Sequence, residues 1–390
     1  MPWSETTSMD QKIQFMSDYL RRTLAMSELC QLYRISRKTG YKWIDRYLHS
    51  GPAGLEDRSR RPRHAPNETP SDVVEALIEA RRRHPSWGGK KLLALVGKRH
   101  PTWELPHKST VCDILKRNGL VPKQRKRRII GHPGKPTTQI LAPNDTWCAD
   151  FKGHFRTGDG IYCYPLTVTD GFSRYLLGCQ SLPSTSVQGT KPVFTRIFKE
   201  FGLPCRIRTD NGVPFATTTL ARLSSLSAWW VRLGIMPELI EPGKPQQNGR
   251  HERMHRTLKA DTARPPAGSM AAQQRRFNAF LDEFNNERPH EALDMRTPAA
   301  CYQTSPRQMP DKLPPLEYPD RFEVRYVSTN GGIRWDHAWV CVSTVCSEEY
   351  IGFEEIDDGI WDVYFGMLKI GRFNERTKRI EDQFGRLRRD

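Results

Sequence analysis

At Ile140 the hydrophobic pattern of the chain changes its period, and that change constrains what each side can fold into. Before it, apolar residues recur every three or four positions between Lys- and Arg-rich stretches, as in "SDVVEALIEARRRHP" and "STVCDILKRNGLV", the spacing of one helix face. After it come "DTWCADFKGHF", "IYCYPLTVTD" and "RYLLGCQSL". These are β-rich runs separated by the turn formers "RTGDG" and "GFS", and they read as an antiparallel meander. The pattern then alternates: the amphipathic "SVQGTKPVFTRIFKEFG", the strand "CRIRTD", a helix in "TTLARLSSLSAWWVRLG", the strand "IMPELIEP" and a late helix from "QQNGRHERMHRTLK". The order is βββαβαβα. Beyond the Pro-rich "SPRQMPDKLPPLEYP", the runs "RFEVRYVS", "HAWVCVST" and "WDVYFGMLKIGRF" predict a small β domain. A chain of 390 residues is long enough for several separate cores.

Charge divides the chain at nearly the same place. Of the formal +17, residues 1–136 carry +15, from 28 Lys and Arg against 13 Asp and Glu, and the remaining 33 against 31 leave +2. A field of that size attracts a polyanion, and it belongs to the helical third. No apolar run of about 18 residues is present, and "MPWSETTSMDQK" lacks a basic-then-apolar signal pattern, so the expectation is a cytoplasmic, nucleoid-associated protein without a membrane partner. Nine scattered cysteines without a CxxC pair argue against a zinc knuckle and a disulfide framework.

These signals predict helical modules at 1–51 and 71–121, basic linkers at 52–70 and 122–137, an α/β core at 138–302 and a β domain at 303–390. In the first module, "SELCQLYRI" places Leu29, Leu32 and Tyr33 on one face, and "SRKTGYKWIDRYLHSG" follows with Ser36 as N-cap and Gly51 as stop. Two helices joined in this way match either a helix-turn-helix or an ordinary hairpin. In the first case the second helix offers Arg37, Lys38 and Lys42 to a DNA groove, while Trp43, Ile44 and Tyr47 pack inward. Arg60, Arg61 and Arg63 in "RRPR" suit a minor-groove arm or a plain basic linker. Arg125, Lys126, Arg127 and Arg128 suit phosphate contacts. In the second module Ser71 and Ser109 are N-cap candidates and Gly119 is a stop.

Three carboxylates stand out in the core. Asp150 lies within the first strand, Asp210 ends the fourth and opens "TDNG", and Glu252 begins the late helix among Lys244, Arg250, Arg253, Arg256 and Lys259. A helix packed across the ends of two neighbouring strands could bring all three together. Glu252 is then either a surface ion-pair partner of Arg256 at i,i+4 or a metal ligand. Asp170 in "TVTDGFSRY" is a rival ligand that reads better as a turn former. His154 and His255 are read as polar rim residues, and Trp147, Trp229 and Trp230 as core.

Taken together, "WCADFKGHF", "IRTDNGVPF", "QQNGRHERMHRTLK" and "FNNERPHEALDMRTPAACY" resemble the integrase-type (DDE, retroviral-integrase-like) catalytic core of bacterial insertion-sequence transposases. The helix-turn-helix with "GLEDRSRRP" resembles their N-terminus. The resemblance implies a multidomain protein: all-α helix-turn-helix modules, a ribonuclease-H-like α/β core and a small C-terminal β domain. It also implies a catalytic and metal-binding triad at Asp150, Asp210 and Glu252. Two Mg²⁺ ions per site, replaceable by Mn²⁺, would serve phosphodiester cleavage and transfer, with no small-molecule cofactor. The implied partner is double-stranded DNA, both the element's terminal inverted repeats and the target, gripped by a homo-oligomer of two or more copies with Arg256 and Lys259 on phosphates. The 41 residues between Asp210 and Glu252 exceed the family's usual spacing, and the surplus is expected around "SSLSAWWVRLG". A DNA-binding regulator that does not cut, and a nuclease that does not join, are the rival readings.

Overall fold

The computed structural model describes residues 7–58, 68–121, 138–241 and 245–381. The candidate DNA contacts Arg60, Arg61, Arg63, Arg125, Lys126, Arg127 and Arg128 lie outside the described residues. The chain separates into two compact units, residues 1–68 and 69–390.

The first unit holds α1 (Ser8–Arg21), α2 (Met26–Leu32) and α3 (Arg37–Ser50) around Phe15, Met16, Leu29, Cys30, Ile44 and Leu55. Ser36 caps α3 by accepting from the Thr39 amide, and Gly51 ends the helix at φ 59°, both as expected. Trp43 and Tyr47 pack against this core. Leu32 departs from expectation and is 63% exposed. The cause lies at Gly40, where a Cβ would fall 2.5 Å from the Met26 side chain and 2.8 Å from that of Cys30. Helix α3 crosses α2 on that side, and Leu32 is left outside the crossing.

In the second unit, α4 (Ser71–Arg83), α5 (Gly89–Arg99) and α6 (Lys108–Arg117) enclose Leu77, Trp87, Leu92, Val96, Val111 and Leu115. Two expected caps are displaced. Pro70 occupies the N-cap of α4, so Ser71 is already inside the helix. His107 caps α6 with its own ring, accepting from the Ser109 amide. Gly119, at φ +69°, is the stop it was expected to be.

The central sheet contains β1 (Thr146–Phe151), β2 (Phe155–Arg156), β3 (Tyr162–Asp170), β4 (Leu176–Leu182), β5 (Arg206–Thr209) and β6 (Met236–Leu239). Across the sheet the order is β4-β3-β1-β5-β6, with the short β2 also on β3. Strand β3 is antiparallel to both β1 and β4, whereas β1, β5 and β6 run parallel. A three-strand meander continued by parallel strands through crossover helices is the ribonuclease-H-like arrangement. One face is covered by α7 (Val187–Phe201) and α8 (Ser225–Arg232) through Phe194, Ile197, Phe198, Leu226 and Trp230, which close over Trp147, Leu166 and Ile207. Helix α8 is shorter than the amphipathic pattern suggested, and the surplus chain forms the loop before it. That loop's Leu220 and Leu223 join Ala228 and Val231 in a second core.

The other side of this second core is the C-terminal antiparallel sheet. It has the order β13 (Arg379–Glu381), β12 (Leu368–Asn374), β11 (Ile360–Phe365), β10 (Tyr350–Asp357) and β7 (Glu323–Tyr326), accompanied by the hairpin β8 (Gly332–Trp335) and β9 (Ala338–Cys341). Helices α9 (Gly249–Thr262) and α10 (Met270–Asp282) pack Met254, Leu258, Phe277 and Phe280 onto Cys163, Leu176 and Cys179 of the meander. Among the described residues no helix is long and apolar enough to cross a membrane.

Candidate active site

The register of β1 on β5 places the first two carboxylates. Thr146, Trp147 and Cys148 lie beside Arg206, Ile207 and Arg208, so two residues further on Asp150 comes opposite Asp210, where β5 ends. Asp210 is held by its own turn: the Gly212 amide donates to its Oδ1 at 3.1 Å, and a Cβ on Gly212 would sit 3.1 Å from Oδ2. Asn211 anchors the turn by donating to the Ile240 carbonyl at 2.7 Å and accepting from Arg222 at 2.9 Å.

Helix α9 reaches this site through two histidines. Neither is at the rim: His251 and His255 are each 2% exposed, which corrects the expectation for His255. The Thr167 hydroxyl on β3 contacts His251 Nε2 at 2.7 Å, His255 Nε2 at 2.6 Å and the Asp150 carbonyl at 3.1 Å. That carbonyl can only accept, so Thr167 donates its single proton to it, and both imidazoles then donate from Nε2. The Thr169 hydroxyl meets His251 Nδ1 at 2.8 Å and supplies a proton there. His255 Nδ1 is left as an acceptor 3.6 Å from Asp150 Oδ2, too far for a hydrogen bond. Burial pushes both histidines down, His251 to about 3, and the neighbouring His251 and Lys152 depress His255 further. Both are neutral. No period or propensity in the sequence announces this pin, although two histidines at i,i+4 beside a helical Glu were a visible signal.

Glu252 sits exposed on the first turn of α9. The i,i+4 partner Arg256 is not taken: among the described residues Glu252 makes no hydrogen bond or ion pair. Its charge is felt at Asp150, whose carboxyl is pushed up to about 7 by burial first, then by Asp210, with a smaller contribution from Glu252. No three His, Cys, Asp or Glu side chains among the described residues lie close enough together to hold a metal ion as they stand. Asp170 is accounted for otherwise. It is fully buried and accepts from the Asn144 amide at 2.8 Å, the Ser173 amide at 2.7 Å and the Ser173 hydroxyl at 2.6 Å. That makes it the turn former expected of it. Trp147, Trp229 and Trp230 are core, and His154 is an exposed rim residue.

The other candidate contacts are surface residues. Arg256 and Lys259 are exposed on α9 near Glu252, and Arg37, Lys38 and Lys42 are exposed on α3. Lys42 lies 4.6 Å from the centre of the Trp43 ring, which also faces Lys12 at 4.1 Å and Arg46 at 5.0 Å.

Residues 141–245 and 233–298 match models of an integrase core domain. Residues 11–63 match a helix-turn-helix domain and 39–115 a homeodomain-like domain. The chain therefore carries an integrase core domain behind N-terminal helix-turn-helix domains, a combination that supports DNA transposition or integration. It is similar to an uncharacterized insertion-element protein (IS476) of Xanthomonas euvesicatoria. The two are 29% identical over 249 residues, 61% of this chain and 67% of that protein. Gag-Pol polyproteins of baboon endogenous virus and avian reticuloendotheliosis virus are 29% and 33% identical over 193 and 124 residues. These stretches are 49% and 32% of this chain, and the chain spans only 10% of either polyprotein. Among solved structures, the HTLV-2 integrase catalytic core domain in complex with magnesium is covered completely by 42% of this chain, at 17% identity and a TM-score of 0.33. A simian T-cell lymphotropic virus intasome chain is covered to 97% by 75% of this chain, at 14% identity and a TM-score of 0.36.

Proposed function

We propose that this chain is a DNA transposase that binds the terminal inverted repeats of its element, cleaves the DNA 3′ ends and transfers them into target DNA. The observation that carries the reading is the pairing of Asp150 with Asp210 at the ends of adjacent parallel strands, with α9 pinned across them so that Glu252 adds its charge to theirs. Three carboxylates repel one another unless a cation lies between them, and oxygen ligands of this kind suit a hard divalent ion. The donor set suits Mg²⁺, with Mn²⁺ as a substitute, and Asp150, Asp210 and Glu252 would hold two such ions. When bound, the metal polarises the phosphodiester and lowers the pKa of attacking water.

The chain's own part is placement. Thr167, His251 and His255 hold α9 in register on the strand that carries Asp150, and the Asp210 turn is fixed through Gly212 and Asn211. In cleavage, water oxygen bonds to phosphorus and the strand's 3′ oxygen leaves, taking up a proton to become a hydroxyl. In transfer, that hydroxyl attacks a target phosphate, loses its proton and displaces another 3′ oxygen. One phosphodiester replaces another, so no nucleotide cofactor is consumed. The helix-turn-helix unit presents Arg37, Lys38 and Lys42 to the repeats, while Arg256 and Lys259 hold phosphates near the carboxylates. Two ends must meet, so the working form is a dimer or larger, acting in the cytoplasm on the nucleoid. The test supplies pre-cut element ends and a plasmid with Mg²⁺: joined product is expected, and nicked plasmid without joined ends would make the protein a nuclease instead.

A further inference from the structure

The segment "NNERPH", Asn285–His290, has no part in the carboxylate site, yet it is tightly built. Asn285 clamps β4 by donating to the Leu176 carbonyl at 2.9 Å and accepting from its amide at 2.8 Å. Past this clamp, Arg288 and His290 enter a seam between the α4–α6 module and α9. Arg288 is 8% exposed, and its guanidinium lies 5.7 Å from the Trp87 ring centre and 3.8 Å from the Asp261 carboxylate, beyond hydrogen-bond reach. His84 stacks on Trp87 at 4.0 Å. Four buried polar atoms here lack a hydrogen-bond partner among the described residues: His84 Nε2, Trp87 Nε1, Arg288 Nη1 and His290 Nε2. Trp87 Nε1 and Arg288 Nη1 are donors in any protonation state of the histidine rings, and orphaned buried donors are rare in native proteins.

The seam's carboxylates face cations other than Lys91 and Arg253. His84 faces Glu283 at 3.1 Å and Glu287 at 3.8 Å, Lys90 pairs with Glu291, and Asp261 stands off Arg288. Lys91 and Arg253 make no ion pair among the described residues. Burial first, then Arg288 and Arg253, push the Lys91 ammonium down to about 8. Burial with Lys91, Arg288, Arg174 and Arg253 nearby takes His290 down to about 3. A fold that gathers cations at the cost of their charge, and leaves donors unpaired beside them, is complementary to an anion.

We propose that this seam is a phosphodiester site, taking one backbone phosphate of bound DNA between Lys91 of α5 and Arg253 of α9, with the buried Arg288 adding its charge from beneath. This rests on the DNA transposase reading, because Arg253 adjoins Glu252 and the phosphate would lie on the strand leading to the carboxylates. It also gives the second helical module a task beyond its own surface: its Lys91 completes a site that the core alone leaves open.

The test uses the full chain, a fluorescein-labelled duplex of arbitrary sequence and, separately, inorganic phosphate. Each of Lys91→Gln and Arg253→Gln should lessen the slope of log affinity against log salt by about 0.9, the signature of one lost phosphate contact. The Lys91→Gln melting temperature should not fall, since a repelled cation is removed. If Lys91→Gln fails to fold, Arg253→Gln, at an exposed position, carries the test alone. Unchanged slopes in the folded variants overturn the site. A wild-type melting temperature raised by inorganic phosphate, with unchanged slopes on duplex, would make it a free-anion site and overturn the DNA assignment. Joining of pre-cut ends by the wild type is read independently, so loss of this site leaves the transposase reading standing, and the reverse.

Discussion

Glu252 and Arg253 are consecutive residues on α9, and they belong to two concentrations of charge of opposite sign. Around Glu252 the fold sets Asp150 beside Asp210, and the Asp150 carboxyl rises to about 7. Around Arg253 it sets Lys91 beside Arg288 and His290, and the Lys91 ammonium falls to about 8. In each, burial first and like charges second weaken the ionisation. The difference lies in support. The carboxylate side is braced by the hydrogen-bonded Thr167–His251–His255 network, whereas among the described residues the cationic side holds the orphaned donors Trp87 Nε1 and Arg288 Nη1. A rigid frame with an exposed third carboxylate suits small ions that need fixed ligands. Cations on α5 and α9 that make no ion pair among the described residues suit a phosphate that brings several acceptor oxygens.

The sharpest way to break this comparison is to neutralise the buried carboxylate. Asp150→Asn should lower Mg²⁺-dependent joining by about ten-thousandfold, roughly 5.4 kcal/mol of barrier. Its thermal midpoint should hold or rise, because repulsion with Asp210 and Glu252 is relieved. Equal losses of stability and activity would assign Asp150 to the fold alone. Next in size is the brace. Thr167→Val keeps the shape and leaves two buried imidazole N–H groups unpaired, at a cost of about 1–3 kcal/mol in urea unfolding. Thr167→Ser should restore both stability and joining, and a Ser variant as weak as Val would show that the methyl group, not the hydroxyl, matters.

The cationic side predicts the smallest effect, with a definite sign. Lys91 binds its proton less tightly in the folded chain, at about 8 against 10.5, so between those values the unfolded chain holds more protons and stability rises with pH. Below 8 the penalty is fully present, and above 10.5 it vanishes. Lys91 faces Arg288, Arg253, His290 and Glu291. Urea midpoints of Lys91→Gln across that window should therefore lack part of the wild-type rise, and matching curves would place Lys91 in solvent.

What could be read in the sequence was local. The change of period at Ile140 gave the helical third and the meander, and Ser36, Gly51 and Gly119 marked helix ends through short-range chemistry. Asp150 was legible within the first strand and Asp210 at the end of the fourth, and Asp170 from its turn. Readings failed where a distant partner decided. Leu32 is exposed because Gly40 sets the α2–α3 crossing; the Ser109 cap was lost locally, to the ring of His107 two residues before it. His255 turned from rim to core because Thr167, 88 residues away, offers it a hydroxyl. The seam pairs His84 with Glu283 across 199 residues, a proximity that no window of sequence contains.

The central claim is that the carboxylate on α9 works together with the two on the strands. Glu252→Gln keeps the shape of this exposed side chain and removes its charge, so the fold and duplex binding should stay near wild type. The decisive measurement is the rate of Mg²⁺-dependent joining of pre-cut ends by this variant beside the wild type. A fall of at least about a thousandfold, roughly 4 kcal/mol of barrier, is the expected result. Joining at a near-normal rate would contradict the account and turn attention to Glu241, which accepts from the Gln247 side chain at 2.8 Å just ahead of the same helix.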